Sequence, residues 1–171
     1  MNFSSTELSF DLEKAQNYFH SNPSRNFIQM GSFKNDGTPL VFKIVGRATS
    51  DKIYASSFEG KVNYSLPMEI EELAATKKAF ELFAEKVSAI VPEWDVNDPL
   101  ARENFWLRLA FDHRTKKFKT TTNLNLTPKN VEKVTGLNGK EIVASVEVKA
   151  WFNLKDEKAG VSLNVLDVTF N

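Results

Sequence analysis

Residues 140–171 have the sequence KEIVASVEVKAWFNLKDEKAGVSLNVLDVTFN, and this stretch determines the fold class that we predict. It contains two long runs of alternating residues, joined by a charged turn that ends in glycine. In the first run the even-numbered residues from Ile142 to Phe152 are apolar, which predicts the inner face of a strand. The odd-numbered residues are mixed and include Lys149 and Trp151. The stretch therefore predicts a β-hairpin with one apolar face and one mixed outer face.

The composition is that of a globular protein. The chain has 171 residues, of which 42% are hydrophobic and 26% are charged. This length predicts a single domain, residues 1–171, in which residues 1–25 form an N-terminal extension. Because the chain has no cysteine, disulfides, thiolate nucleophiles and cysteine-ligated zinc are excluded. Lys+Arg and Asp+Glu both total 22, and this neutral balance weakens non-specific attraction to nucleic acid.

The sequence also bears on the location of the protein. The first residues, MNFSSTELSFDLEK, are polar and acidic, and no apolar run approaches the length needed to span a membrane. We therefore expect neither a signal peptide nor a membrane anchor. Together with the lack of cysteine, this favours an intracellular protein of the cytoplasm or the nucleus.

Three runs between Asn26 and Glu59 predict strands. The first two, NFIQMGSF and PLVFKIVG, flank Asp36-Gly37, which is a strong signal for a hairpin turn. The third run, DKIYASSFE, follows closely, and we expect the three to form a meander in which Lys43 marks the outward side. Before them, a short helix is predicted over 11–19, where it would end ahead of Asn22-Pro23.

A helical pattern runs from about 68 to 91. Apolar residues recur there every three or four positions and include Phe80 and Phe83. Ser65 is the predicted cap and Pro67 suits the first turn. We expect the phenylalanine stripe to pack against the sheet, the alternative being a face that binds a partner.

A second hairpin is predicted after this helix. The run NFWLRLAFD, residues 104–112, alternates with Trp106 and Arg108 on its outward side, and KFKTTTNLNL, residues 117–126, is the predicted partner strand. The turn between them begins a basic cluster, which is either a strip that follows a phosphate backbone or an ordinary solvated turn. The cations of this cluster are Arg114, Lys116, Lys117 and Lys119.

The order of these elements predicts a mainly β (α+β) fold. A three-stranded meander, one long helix between the third and fourth strands, and then two hairpins form an elaborated version of the five-stranded OB-fold layout. We therefore expect an OB-like antiparallel β-barrel. A jelly roll or a sandwich is the alternative, because neither shear nor strand pairing can be deduced from periodicity.

Catalytic motifs are scarce. His20 and His113 are the only histidines, and neither has a second ligand at metal-binding spacing. The sequence shows no glycine-rich phosphate loop, nucleophile elbow or calcium loop. We therefore expect no catalytic residue, no metal, no cofactor and a function that is not enzymatic.

Outward aromatic residues lie close to cations in several predicted strands. Trp106 lies two residues from Arg108, and Tyr54 lies two residues from Lys52. Such rings can hold unstacked bases while the cations hold phosphates, which needs no sequence readout. The alternative for each tryptophan is a position covered by the helix. The predicted nucleic-acid-binding residues are Lys43, Arg47, Tyr54, Trp106, Arg108, Arg114, Lys116, Lys117, Lys119, Lys149 and Trp151.

The run VEVKAWFN, followed by AGVSLNVLDVTF, resembles the C-terminal hairpin of the OB-fold single-stranded DNA-binding proteins of tailed phages and large DNA viruses. The resemblance covers mainly the last third of the chain. It implies sequence-independent binding of single-stranded DNA in viral or phage DNA replication, recombination or repair, with RNA as the alternative ligand. If the protein is viral, the host cell is the implied location.

The resemblance also implies partners. Proteins of this kind often end in an acidic tail that recruits replication proteins, whereas this chain ends at Asn171 directly after its last predicted strand. Either such a tail has been removed or the protein lacks this mode of recruitment. Replication proteins and a second copy of the chain are candidate partners, and a membrane is not. The competing class is a non-enzymatic structural or assembly protein, such as a β-sandwich virion component or a protein-interaction module, which the neutral net charge favours.

Overall fold

The computed structural model describes residues 3, 5–101 and 104–171, and strands predominate in them. The helices are α1 (Leu12–Ser21) and α2 (Leu73–Ile90), and a short 3-10 turn spans Val131–Lys133. The strands are β1 (Thr6–Ser9), β2 (Ile28–Asn35), β3 (Thr38–Pro39), β4 (Val41–Ala48), β5 (Tyr54–Phe58), β6 (Lys61–Ile70), β7 (Asp95–Asn97), β8 (Phe105–Leu109), β9 (Phe111–Asp112), β10 (Lys117–Phe118), β11 (Thr121–Thr122), β12 (Glu141–Asn153) and β13 (Lys158–Phe170). The prediction of a mainly β protein with antiparallel sheets is confirmed.

The chain divides into two compact units, each assembled from three separate stretches. Unit 1 contains Met1–Val41, Ala74–Ala101 and Val148–Leu163. Unit 2 contains Phe42–Leu73, Arg102–Glu147 and Asn164–Asn171. The strands β12 and β13 pair with each other, which confirms the hairpin predicted for residues 140–171.

In unit 1, β2 pairs with β1 and with the second half of β12, both antiparallel. The turn from β2 to β3 is the predicted Asp36-Gly37, and both residues have positive φ, 51° and 81°, as a type I′ hairpin turn requires. The phenylalanine stripe of α2 belongs to the core of this unit. Phe80 and Phe83 are fully buried, and the Phe83 ring lies 5.1 Å from that of Phe33. The prediction that this stripe packs inward is confirmed, and the alternative of a partner-binding face is wrong.

The first helix confirms the short segment predicted over 11–19. Asp11 caps α1, because its side chain accepts a hydrogen bond of 3.1 Å from the backbone N–H of Lys14. The helix ends at Ser21, directly before Asn22-Pro23. The predicted N-terminal extension, residues 1–25, thus contains β1 and α1, and both belong to unit 1. Residues 1, 2 and 4 lie outside the described residues.

In unit 2, β6 is the central strand. It pairs on one side with β5 and the end of β4, and on the other side with β8. Its even-numbered side chains from Tyr64 to Ile70 are buried, which is the two-residue period of a strand with one covered face. The rings of Phe111 and Phe118 pack against Tyr64 at 5.2 Å and 5.0 Å, so the β9–β10 hairpin covers part of that face.

The long helix begins later than predicted, at Leu73 and not near residue 68. Ser65 and Pro67, the predicted cap and first turn, lie inside β6, because the backbone there pairs with strands on both sides. In chain order α2 therefore lies between β6 and β7.

Two predicted strand pairings in unit 2 are wrong. The third run of the meander pairs with β6 and not with the run before it, and Tyr54 lies opposite Ser65. The second predicted hairpin is reduced to the short β9–β10 pair, while β8 pairs with β6. The strand after β10 is interrupted at Thr120, whose buried hydroxyl accepts from the N–H of Ala110 and donates to the carbonyl of Val165. The next residues, Thr121–Thr122 of β11, pair with β13 and not with β8.

Candidate nucleic-acid interface

The outward side chains of β5, β6 and β8 form one surface of unit 2. Residues directly opposite each other in antiparallel strands point to the same face, and Ser65 lies opposite both Tyr54 and Arg108. By the same register, Trp106 lies opposite Pro67. We call this surface the Tyr54–Trp106 face, and its residues are Tyr54, Ser56, Phe58, Lys61, Asn63, Ser65, Pro67, Trp106 and Arg108.

Two aromatic rings meet at the centre of this face. The ring centroids of Tyr54 and Trp106 are 5.7 Å apart, and the ring planes are at 70° to each other. They come from strands on either side of β6, and they can meet because the intervening side chains, Ser65 and Pro67, are small. The hydroxyl of Ser50 donates a 3.2 Å hydrogen bond to the Tyr54 oxygen and holds that ring from the other end.

Both rings are open to solvent. Tyr54 is 50% exposed and Trp106 is 47% exposed, so the alternative of a Trp106 covered by the helix is wrong. An edge-to-face pair contributes about 0.5–1.5 kcal/mol beyond its buried area, which favours a preformed arrangement of the two rings. The result is an ordered aromatic surface with roughly half of its area available to a ligand.

Cations lie beside the rings. Arg108 is exposed, and its guanidinium Nη2 donates to Asn63 Oδ1 on β6, which fixes its direction across the sheet. Lys61, also exposed, lies opposite Phe58. The predicted combination of Tyr54, Trp106 and Arg108 is thus present on one face.

Sequence reasoning missed part of this surface. Phe58 is 71% exposed, and it shares the face with Lys61 and Asn63, none of which was predicted. They were missed because residues 61–70 were not recognised as a strand. The signal in the sequence was the glycine of Glu59-Gly60 between two alternating runs, which favours a two-residue hairpin turn. In the structure both residues have positive φ and form this turn.

Arg47 and Lys43 lie on β4. Arg47 is exposed and lies opposite Glu69, and its Nη1 donates a 3.0 Å hydrogen bond to the carbonyl of Gly139. The carboxylate of Glu69 offsets part of the positive charge that Arg47 brings to this end of the sheet. Lys43 is exposed on the same side of β4, four residues earlier.

The predicted basic cluster forms the β9–β10 turn and the residues after it. Its four cations, Arg114, Lys116, Lys117 and Lys119, are exposed. The turn is closed by Asp112, whose carboxylate accepts hydrogen bonds from the backbone N–H groups of Arg114, at 2.9 Å, and Thr115, at 3.3 Å. These bonds, the one from Arg114 first, lower the pKa of the Asp112 carboxyl below its ordinary value. The ring of His113 packs on that of Phe111 at 5.4 Å.

Lys149 and Trp151 lie in unit 1, whereas Trp106 and Arg108 lie in unit 2. Both residues are half-buried on β12, and Trp151 lies opposite Met30 of β2. The indole of Trp151 packs directly on Gly160, where a Cβ atom would come within 2.8 Å of three ring atoms. Trp151 is therefore a packing residue of unit 1, with part of its surface open to solvent.

The described residues contain no group of three or more His, Cys, Asp or Glu that could hold a metal ion. In the same part of the chain, neither helix combines the length and the apolar character that crossing a membrane requires. Comparison with known proteins finds no matching family model, curated protein or solved structure. A functional proposal therefore rests on the geometry of the Tyr54–Trp106 face.

Proposed function

We propose that this protein binds unpaired nucleic-acid strands, single-stranded DNA in the first place, on the Tyr54–Trp106 face. The observation that carries the proposal is the contact between two half-exposed rings, Tyr54 and Trp106, with Arg108 in the adjacent row of the same sheet. A base stacked on an aromatic side chain contributes about 1–3 kcal/mol, and every base has a face to stack. Binding would therefore be tolerant of sequence.

The charges support contact with a phosphate backbone. Arg108 and Lys61 are exposed cations beside the rings, so a base on Trp106 or Phe58 has a cation within reach of its phosphate. The chain as a whole has no net charge, so attraction at long range is weak. Binding is therefore expected to depend on stacking first and on salt second.

An OB-like barrel and a role in viral or phage DNA replication, recombination or repair extend this proposal. Their support is a three-stranded antiparallel surface that bears aromatic and basic side chains, which is the type of surface that OB folds use to bind strands. RNA is the alternative ligand, since stacking and phosphate contacts serve either nucleic acid.

A titration of the purified protein with labelled oligo-dT at two salt concentrations tests the proposal. We expect binding that weakens with salt, weaker binding to duplex, and quenching of Trp106 fluorescence by the strand. The variant Tyr54→Ala/Trp106→Ala should lose most of the affinity. Tyr18→Ala is the matched control, because Tyr18 is 52% exposed but lies in unit 1. Equal affinity of the double variant and the control would reject the stacking surface.

A structural or assembly protein is the second candidate function, favoured by a different observation. Unit 1 also exposes large apolar side chains, Tyr18, Ile28 and Met30, and two of them line a groove with Phe10 and Lys14. Exposed apolar surfaces of this kind mark sites of protein–protein contact. If the protein ignores oligo-dT at low salt and forms a defined oligomer that Met30→Asp disrupts, this second function replaces the first.

A further inference from the structure

The outer edge of β5 is unpaired in the part of the chain that the structure describes. The strand pairs with β6 on one side and ends the sheet on the other, and all five of its residues are exposed. The adjacent turn shows which backbone groups point outward. Phe58 and Lys61 flank the two-residue Glu59-Gly60 turn, so they form a hydrogen-bonded pair. Alternation then directs the N–H and C=O groups of Ala55 and Ser57 away from β6.

We propose that this edge pairs with the same edge of a second copy of the chain, in antiparallel orientation and centred on Ser56. In this register Ala55 lies opposite Ser57 of the second copy, and each such pair exchanges two backbone hydrogen bonds. Ser56 then lies opposite its own copy as a closer, non-hydrogen-bonded pair. All outward backbone groups of the two strands are satisfied by one symmetric contact.

The side chains of β5 are complementary to themselves in this register. Tyr54 lies opposite Phe58 of the second copy, so an aromatic pair forms at each end of the contact. Two serines face each other at the centre. The contact also covers Phe58, the most exposed of the large hydrophobic side chains that the structure describes, at 71%.

The charges around the strand are complementary as well. Tyr54–Phe58 itself carries no charge, while the exposed Lys52 precedes it and the exposed Glu59 follows it. Antiparallel pairing brings Lys52 of each copy beside Glu59 of the other. The edge has no lysine, proline or bulge between these residues, which are the devices that keep an edge strand from pairing.

This inference does not depend on the proposed function, because the pairing requires no ligand. It would place the two Tyr54–Trp106 faces on the same side of a continuous sheet, since residues opposite each other share a face. The oligomeric state can therefore be measured without nucleic acid.

Sedimentation over a range of protein concentrations is the first test. We expect a monomer–dimer equilibrium that Ser57→Pro abolishes, because proline removes an outward N–H that the β5–β6 hairpin does not use. Ser57→Lys places a charge at the same edge and should weaken the dimer at least tenfold, with circular dichroism as the check on folding. Ser24→Lys, at an exposed loop position of unit 1, is the matched control. A wild-type chain that stays monomeric, or a Ser57→Pro dimer as stable as the wild type, would overturn the proposal.

Cross-linking tests the register. The chain has no cysteine of its own, so Ser56→Cys introduces a single thiol. Directly opposed residues of a non-hydrogen-bonded pair have Cα atoms about 4.5 Å apart, within the range for a disulfide, while Ser57→Cys would face its own copy only across a diagonal of about 7–8 Å. We expect Ser56→Cys to form a covalent dimer under mild oxidation at least tenfold faster than Ser57→Cys. Equal rates would overturn the Ser56-centred pairing.

Discussion

Trp106 and Trp151 occupy equivalent places in the sequence pattern but different environments in the structure. Each lies on the outward side of a strand, two residues from a cation. Trp106 is about half exposed and meets the ring of Tyr54, whereas Trp151 lies against Gly160 on the neighbouring strand. Alternation thus specifies the side of the sheet, and the neighbouring strand determines whether the ring remains available. One tryptophan is suited to binding and the other to packing.

Replacing each tryptophan in turn gives the largest expected difference between the two regions. Trp106→Ala should weaken the binding of oligo-dT by about 1–3 kcal/mol, which is roughly 5-fold to 150-fold in Kd, because a stacking surface is lost. Trp151→Ala should leave Kd nearly unchanged. Fluorescence anisotropy with labelled oligo-dT measures both. An unchanged affinity after both substitutions together would reject stacking by either ring.

Enlarging Gly160 tests the packing role of Trp151. Gly160→Ala introduces a Cβ atom within 2.8 Å of the indole, so we expect the free energy of unfolding to fall by about 1–3 kcal/mol. Denaturant unfolding measures the loss, and the affinity for oligo-dT should not change. In a Trp151→Ala background, Gly160→Ala should lower the free energy of unfolding by less, because the indole that the new Cβ atom displaces is absent. Full additivity of the two changes would contradict the contact.

Substitutions of the cations beside the two tryptophans should change the salt dependence of oligo-dT binding differently. If Arg108 contacts a phosphate, Arg108→Gln lowers the slope of log K against log salt by about 0.7, the contribution of one contact to a single strand. Lys149→Gln should leave the slope unchanged, since Lys149 lies in unit 1 beside the packed Trp151. A titration series between about 50 and 200 mM salt distinguishes the two variants. A larger change of slope for Lys149→Gln than for Arg108→Gln would indicate that the strand binds to unit 1.

The smallest expected effect concerns two turns with the same type of cap. In unit 2 the carboxylate of Asp112 accepts from two backbone N–H groups, and in unit 1 the side-chain oxygen of Asn153 accepts from those of Lys155 and Asp156. The folded pKa of Asp112 is lowered, so its stabilisation is present above the unfolded pKa and is lost as pH falls through the folded pKa. Amide proton shifts below about pH 4 should therefore change at Arg114 and Thr115. The same titration of Asp112→Asn is the control, and an unchanged response would contradict the role of the carboxylate.

Local pattern was sufficient to predict the strands with one covered face. In β8 and β12 the buried side chains are those that the alternation predicts, from Phe105 to Leu109 and from Ile142 to Phe152. The period of two is set by the chain itself, so it is visible in the sequence. The outward positions of Trp106 and Arg108 followed from the same pattern and are confirmed.

Pairing between distant strands could not be predicted in the same way. Tyr54 and Trp106 meet only because β6 lies between their strands. The Glu59-Gly60 turn indicates β5 as one neighbour of β6, but residues 61–70 contain no local signal for β8 as the other. Ser65 and Pro67 also fit the start of a helix, and the tertiary contacts of β6 override that preference. Thr120 is a similar case, since its hydroxyl ends a predicted strand through a bond to Val165, 45 positions away in the sequence.

The division of the closing hairpin between the two units has a consequence for how the protein is made. Unit 1 needs Val148–Leu163 and unit 2 needs Asn164–Asn171, so neither can complete its hydrogen-bonded sheet while the ribosome still holds those residues. Domains whose stretches are contiguous can fold one after the other during synthesis. Here both units need residues 148–171, so neither can fold before that segment has been synthesised, and their many non-local strand pairs predict slow folding.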